Sequence, residues 1–304
     1  MRQTALNTVL ELARIDPRVV FIGSDLGHGT LSTMKEELPG QFFMEGISEQ
    51  HIVGFAAGLA KQGFIPFVNT IATFLTRRAY EQIAIDLALQ NSHVILLASG
   101  GGMVYAPLGP THTSIEDFAT MSALPGVQIA SPADPLEMKE ILTTAHKVSS
   151  PWYLRFGKGG EPNITDQCNS KSGNIKFFGL SDAPILIVTT GILLHSAIEF
   201  KNKYKNYGDQ ICIIHVPLHQ ELESEKFMRR IERATRVVVL EEHIPVGGLF
   251  TRLLHQSHRF GIDSRKLRHR SLSHHFSHNY GSQSEHLDYH KLNSEGIMDS
   301  LKNI

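Results

Sequence analysis

Cysteine is scarce in this chain: its 304 residues include two, Cys168 and Cys212, far apart and in no CxxC pair. That usage fits a reduced protein better than a disulfide scaffold. No apolar run approaches the length needed to cross a bilayer. Met1-Arg2-Gln3 leads straight into an amphipathic helix pattern with no apolar signal core, so a cytoplasmic location is expected. Charge of one sign is also missing: the formal net charge is -1 and the pI about 7.0. Such a surface has no field to gather nucleic acid or an anionic membrane, so any anion must be held by local geometry. The expected partners are a small molecule and another protein. There is no long polar tract and no internal repeat, and 41% of residues are hydrophobic, which excludes a disordered chain and at this length favours two domains.

Apolar, β-rich runs alternate with helical patterns over almost the whole length, the signature of parallel sheets covered by helices. The fold class is α/β. The pattern predicts strands at Val19–Gly23, Phe64–Asn69, Val94–Ala98, Val127–Ala130 and Trp152–Phe156, with helices near Gln3–Arg14, Glu49–Gln62, Phe74–Asn91, Ser114–Ala123 and Pro135–Val148. These make a first domain over residues 1–160. A segment rich in Gly, Asn, Ser, Asp and Lys, without sustained period, reads as a linker over 161–183. A smaller second domain follows over 184–304. Its expected strands are Ile185–Thr190, Ile211–Val216 and Val237–Glu241, and its helices lie near Leu193–Lys205, Glu221–Arg233, Gly247–Phe260 and Ser294–Lys302.

The most informative stretch is Glu45-Gly46-Ile47-Ser48-Glu49-Gln50-His51, which opens a helix of small and apolar residues, Val53 to Ala60. A carboxylate at a helix start is ordinarily a charge placed favourably against the macrodipole. Gly54 and Gly58, four apart on one face, also permit close approach of another backbone, which would hold Glu49 at a buried interface where its protonation could serve proton transfer. Downstream, Thr73-Phe74-Leu75-Thr76-Arg77-Arg78-Ala79-Tyr80-Glu81-Gln82 reads either as the stripe of an amphipathic helix or as a pocket wall. Gly109-Pro110-Thr111-His112 precedes Ile115-Glu116-Asp117, Leu124-Pro125-Gly126 and Ser131-Pro132-Ala133-Asp134.

Taken together and in order, these segments resemble the transketolases and deoxyxylulose phosphate synthases, over nearly the whole chain. The resemblance implies a pyrimidine-binding, doubly wound parallel-sheet domain followed by a transketolase C-terminal domain, and thiamine diphosphate as cofactor. Glu49 would then be the glutamate that hydrogen-bonds the aminopyrimidine ring; a carboxyl group there shifts the ring amino group to its imino form, so one protein group tunes chemistry that the cofactor carries. Phe74 would stack on that ring, with Arg78 in the turn that shapes the cofactor pocket. His112 would touch substrate hydroxyls, a role suited to a group that donates or accepts near neutral pH. Asp25 and His28, in Gly23-Ser24-Asp25-Leu26-Gly27-His28, would lie beside the thiazolium ring and the substrate, with a plain glycine-rich turn as the alternative. Arg155 would meet an anionic substrate end, the alternative being a surface charge at a strand end.

Two departures stand out. Transketolases usually carry Asp directly before Gly-Pro-Thr-His, and this chain has Leu108. Where sugar-phosphate-using relatives carry His or Arg, it has Gly100-Gly101-Gly102, which could offer backbone N–H groups to an anion. Both put ordinary pentose-phosphate specificity in doubt. The histidine-rich Ser273-His274-His275-Phe276-Ser277-His278 lacks zinc-ligand spacing; Phe276 to Gly281 instead resembles the last strand of the family's second domain, which generally serves dimerisation.

The family's diphosphate and its divalent metal, Mg2+ or Ca2+, are held by a third domain marked by Gly-Asp-Gly, and no Gly-Asp-Gly occurs in this sequence. The resemblance therefore implies a partner: an N-terminal transketolase subunit carrying the diphosphate-binding domain, assembled with this chain into a heterotetramer. The implied reaction is transfer of a two-carbon ketol unit from a ketose, expected to be phosphorylated, to an aldehyde. Two alternatives stay open, the beta subunit of a 2-oxoacid dehydrogenase first component and a non-catalytic paralogue.

Overall fold

The structure, a computed structural model, describes residues 1–24, 29 and 31–302. Its first half runs α1 (Arg2–Ile15), β1 (Val19–Gly23), α2 (Ser32–Glu37), β2 (Phe42–Met44), α3 (Glu49–Lys61), β3 (Ile65–Ile71), α4 (Tyr80–Gln82), β4 (Ile95–Ser99), α5 (Asp117–Ser122), β5 (Gln128–Ala130), α6 (Pro135–Lys147) and β6 (Trp152–Phe156). The six strands pair in parallel in the order β2-β1-β3-β4-β6-β5. Alternate strand residues feed opposite faces, as the two-residue period requires. Phe21, Phe67 and Leu97 pack on α1 and α6, whereas Ile22, Val68 and Leu96 pack on α3, α5 and the segment around α4. Sequence order reverses between β1 and β3, and an open α/β sheet places its ligand crevice beyond the strand ends at such a point.

The second half runs β7 (Ser170–Ser172), β8 (Ile175–Phe178), β9 (Ile185–Thr189), α7 (Leu193–Lys203), β10 (Ile211–His215), α8 (Glu225–Arg233), β11 (Arg236–Leu240), α9 (Leu249–Arg259), β12 (Leu267–Arg270), α10 (Gln283–Tyr289) and α11 (Ser294–Lys302). Its sheet has the order β12-β11-β9-β10-β8-β7, with α7 and α11 on one face and α8 and α9 on the other.

Three sequence expectations are corrected. The segment expected as linker contains β7 and β8, an antiparallel hairpin added to the second sheet through β10. Lys176 of β8 explains why a polar stretch forms strand: it is buried and ion-paired with Glu137, which also accepts from His215 at 2.7 Å. The expected helix Phe74–Asn91 is a single α-turn between two π-helical turns, Phe74–Arg78 and Ile83–Ala88. Residues 276–281 form no strand; the last strand is β12, just before them.

The halves meet along a polar seam. Ser131 N donates to Pro217 O at 2.8 Å, Gly191 N to Ser131 O at 3.1 Å and Ile244 N to Ile115 O at 2.9 Å. No helix among the described residues is long and apolar enough to cross a membrane.

Candidate active site

Glu49 is the first residue of α3, and its side chain is 1% exposed. Three features keep a carboxylate there. The helix N-terminus favours negative charge. Thr70, at the C-terminal end of β3, donates its hydroxyl to Oε1 at 3.5 Å and accepts one from Ser24, past the end of β1, at 2.9 Å. Arg78 Nη1 donates to Oε2 at 2.7 Å. Glu49 thus sits where β1 and β3 diverge, at the crevice that the topology provides.

The π-helical turn Phe74–Arg78 brings the remaining groups to it. A π turn changes the angular spacing of side chains along a helix, and such turns concentrate at functional sites. Here the Arg78 guanidinium carbon lies 4.3 Å from the Phe74 ring centroid while its nitrogen reaches Glu49. His112 also meets the Phe74 ring, edge-on at 5.3 Å between centroids. His112 comes from the Gly109–Pro110 turn, its Nδ1 at 2.9 Å from the Thr111 hydroxyl. Arg77 fixes that turn to the π segment, donating to Pro110 O at 3.1 Å and pairing with Glu116.

Glu49, Phe74, Arg78 and His112 therefore form one cluster. Asp25 and His28 lie outside the described residues. Thr70 and Glu116 were missed by sequence reasoning. Thr70 left one signal, a polar residue at the end of an otherwise apolar strand at the switch point; the contacts of Glu116 are non-local and left none.

Arg155 lies apart from this cluster. At 4% exposed it is no surface charge, which corrects that reading. Its guanidinium donates to Asp117 Oδ1 at 3.3 Å and to the backbone oxygen of Glu242 at 2.7 Å, and lies 4.4 Å from the Phe118 ring centroid. Tyr153 donates to the other Asp117 oxygen at 2.8 Å, and burial beside that carboxylate pushes its phenol well up. Burial also raises the Glu242 carboxyl, against the pull of Arg155. The cavity beside Arg155 is lined by Gly101, Ser131, Gly157, Thr190, Glu242 and Gln283.

The glycine run is likewise committed internally, contrary to an anion nest. Gly100 N and Gly101 N donate to Phe156 O and Gly102 N to Ser114 O, while the next amide, Met103 N, donates to Glu242. A Cβ on Gly101 would stand 2.2 Å from Arg155 and one on Gly102 2.3 Å from Glu242, so the run is glycine because these side chains press against it.

Gly54 and Gly58 do not meet another backbone of this chain. A Cβ on Gly54 would reach only Asp86, at 4.0 Å, and one on Gly58 would meet nothing within 4 Å. Glu49 is buried by the chain's own residues.

Comparison with known proteins follows the same division. Residues 1–161 match the transketolase pyrimidine binding domain and residues 181–297 the transketolase C-terminal domain. The chain belongs to the transketolase family. It is 32% identical over 250 residues to a subunit of the apulose-4-phosphate transketolase of Phocaeicola vulgatus, covering 82% of this chain and 80% of that one. It is 28% identical over 304 residues to the 1-deoxy-D-xylulose-5-phosphate synthase of Syntrophus aciditrophicus, spanning 98% of this chain but 46% of that enzyme. A split-gene transketolase solved as an inactive beta4 tetramer superposes with a TM-score of 0.82 at 25% identity, covering 99% of this chain and 96% of the other.

The family depends on thiamine diphosphate, and the cluster fits the aminopyrimidine part of it. Glu49 and Phe74 already accept one planar, N–H-rich group, the Arg78 guanidinium, which donates to the carboxylate and lies over the ring. Among the described residues no group of three or more His, Cys, Asp or Glu side chains is placed to hold a metal ion.

Proposed function

We propose that this chain is the pyrimidine-side subunit of a thiamine-diphosphate-dependent transketolase, moving a two-carbon ketol unit from a ketose to an aldehyde acceptor. The observation that carries this reading is the buried Glu49 carboxylate at the switch point, in one cluster with Phe74 and His112. The bound cofactor would supply the carbanion chemistry that no amino-acid side chain provides. Glu49 would hold or release a proton at the aminopyrimidine ring, from its buried position at the start of α3. Phe74 would fix the plane of that ring. His112 would donate to or accept from the substrate's hydroxyls. By resemblance alone, Asp25 is assigned to the cofactor and His28 to the substrate. We assign Arg155 to the junction between the domains and not to a substrate anion, because Asp117 and the Glu242 backbone already hold its buried guanidinium.

A second subunit would supply the diphosphate site and its divalent metal. Supporting this, the chain spans about half of the synthases it matches, and the split-gene neighbour is described as inactive when built of β subunits. The open faces at Gly54 and Gly58 suit the close approach of another chain. The sugar phosphate named for the Phocaeicola vulgatus relative makes a ketose phosphate the first donor to try.

The test is calorimetric titration of thiamine diphosphate with magnesium into the chain alone and into its mixture with the partner subunit co-purified from the native host. Binding in the mixture only is expected. Tight binding by the lone chain would overturn the split-site reading.

A further inference from the structure

A cleft opens in the second domain between α8 and the β7–β8 hairpin, and none of its lining residues belongs to the Glu49 cluster or to the Arg155 junction. Lys226, Arg229, Arg230 and Arg233 of α8 line it, together with Lys171 of β7. Two acidic residues, Asp182 and Glu225, share the lining. The chain as a whole has a formal net charge of -1, so this excess of positive charge is local.

The stripe works against the helix that carries it. Positions three, four and seven apart share a helix face, and like charges so placed are destabilising. Phe227, Met228 and Ile231 fill the core from the other face of α8, which leaves the four basic residues crowded along the cleft. Arg230 shows the consequence: burial first, and Arg233 among its neighbours, push its guanidinium below the ordinary value. Its Nη2 donates to Ala183 O, whereas its buried Nε has no hydrogen-bond partner.

Little within the protein neutralises the rest. Arg229 pairs with Glu225, but those side chains are 63% and 64% exposed, and such a pair exchanges partners readily in water. Lys171 stands 3.6 Å from Glu140. Lys226 and Arg233 form no salt bridge among the described residues. Ser224, the N-cap of α8, lines the same cleft and its side chain caps no amide of the helix.

We infer that this cleft is a binding site for a small anion carrying two or more linked phosphate groups. Guanidinium groups meet phosphate oxygens in planar, two-point contacts, and ammonium groups add point charges between them. From Lys226 to Arg233 the stripe runs for about 10 Å along the helix axis, longer than a single phosphate group. One carboxylate or one phosphate would neutralise part of it; a chain of phosphates would meet its whole length. Phe177 adds an apolar surface to the same wall.

The experiment is isothermal titration of inorganic phosphate, pyrophosphate, tripolyphosphate and ATP, each without added metal, into the full chain at low ionic strength. Saturable binding is expected for tripolyphosphate and ATP, with inorganic phosphate at least about tenfold weaker. Equal affinity for the two assigns the site to the phosphates alone, and tighter binding of ATP adds a nucleoside contact; either result upholds it. Arg229→Gln combined with Arg233→Gln should weaken tripolyphosphate binding at least about tenfold, with the circular dichroism spectrum unchanged. Lys171→Gln combined with Lys226→Gln should weaken it several-fold. Arg14→Gln combined with Arg265→Gln removes the same charge from exposed positions elsewhere and should change nothing. Absence of saturable binding, or equal weakening by the distant pair, would overturn the site. Any thiamine diphosphate held here by the lone chain would be lost in the Arg229 and Arg233 variant, whereas binding at Glu49 would survive it, so this site and the split-site reading fail separately.

Discussion

The protein contains two arginine–carboxylate assemblies made of the same chemistry and left in opposite states. At the switch point, Glu49 is 1% exposed but its partner Arg78 is 44% exposed. At the junction of the domains, Arg155 is 5% exposed and its partners Asp117 and Glu242 are 0% and 6%. A pair with one member in water can part and re-form around another planar donor at small cost. A pair with both members desolvated cannot, because each charge left behind is stranded in a low dielectric. Side-chain identity therefore does not separate the charge proposed to work from the structural ones; the exposure of the partner does.

The largest expected effect comes from removing the working carboxylate. Glu49→Ala should lower turnover of the assembled enzyme by at least about 10³-fold, with assembly intact by size-exclusion chromatography; steady-state kinetics on the same preparation decides it. Retained activity would remove the distinction between the two assemblies. Next comes Arg155→Gln, which leaves Asp117 and Glu242 buried with one neutral amide between them. It should cost the isolated chain about 3 kcal/mol or more in denaturant unfolding. A loss within error would show that water reaches the junction.

A further carboxylate, Glu137, tests a sealed site by pH. Burial raises the Glu137 carboxyl, but His215 and Lys176 outweigh it and hold the group down at about 2 against an ordinary 4.5. The folded value lies below the unfolded one, so the contribution is present above the unfolded value and is lost as pH falls toward the folded one. The wild type should lose on the order of 3 kcal/mol across that window. Glu137→Gln, less stable at neutral pH, should not show that acid-dependent loss. Parallel pH profiles for the two proteins would refute the assignment.

The contrast also marks what the sequence could reveal. β1, β6 and α11 were legible to the residue, since Val19–Gly23 and Trp152–Phe156 are uninterrupted strand formers and Ser294–Lys302 has a clear helical face. β2 and β12 were not. The first has three residues, and the second, Leu-Arg-His-Arg, is a half-buried edge with no apolar alternation. In the site, Glu49, Phe74 and His112 stood out because each lies in a local motif. The burial of Arg155, expected to meet a substrate anion or to be a surface charge, was not legible, because what buries it, Asp117 and Glu242, lies 38 and 87 residues away. The π turns were invisible for a related reason: one residue added to a helical turn leaves composition unchanged and shows only in which side chains meet.

The smallest expected effect is the most discriminating. Arg78→Gln keeps an N–H donor for Glu49, and the lost guanidinium was nearly half in water, so its attraction was already screened. Chain stability should fall by less than about 1 kcal/mol, in the same denaturant experiment that shows several times that for Arg155→Gln. Thr70 still donates to the other Glu49 oxygen, and the helix terminus still favours the charge. If Arg78→Gln instead costs as much as Arg155→Gln, Glu49 is a second sealed structural charge that requires its arginine, and a group that cannot release its partner cannot take up an aminopyrimidine in its place.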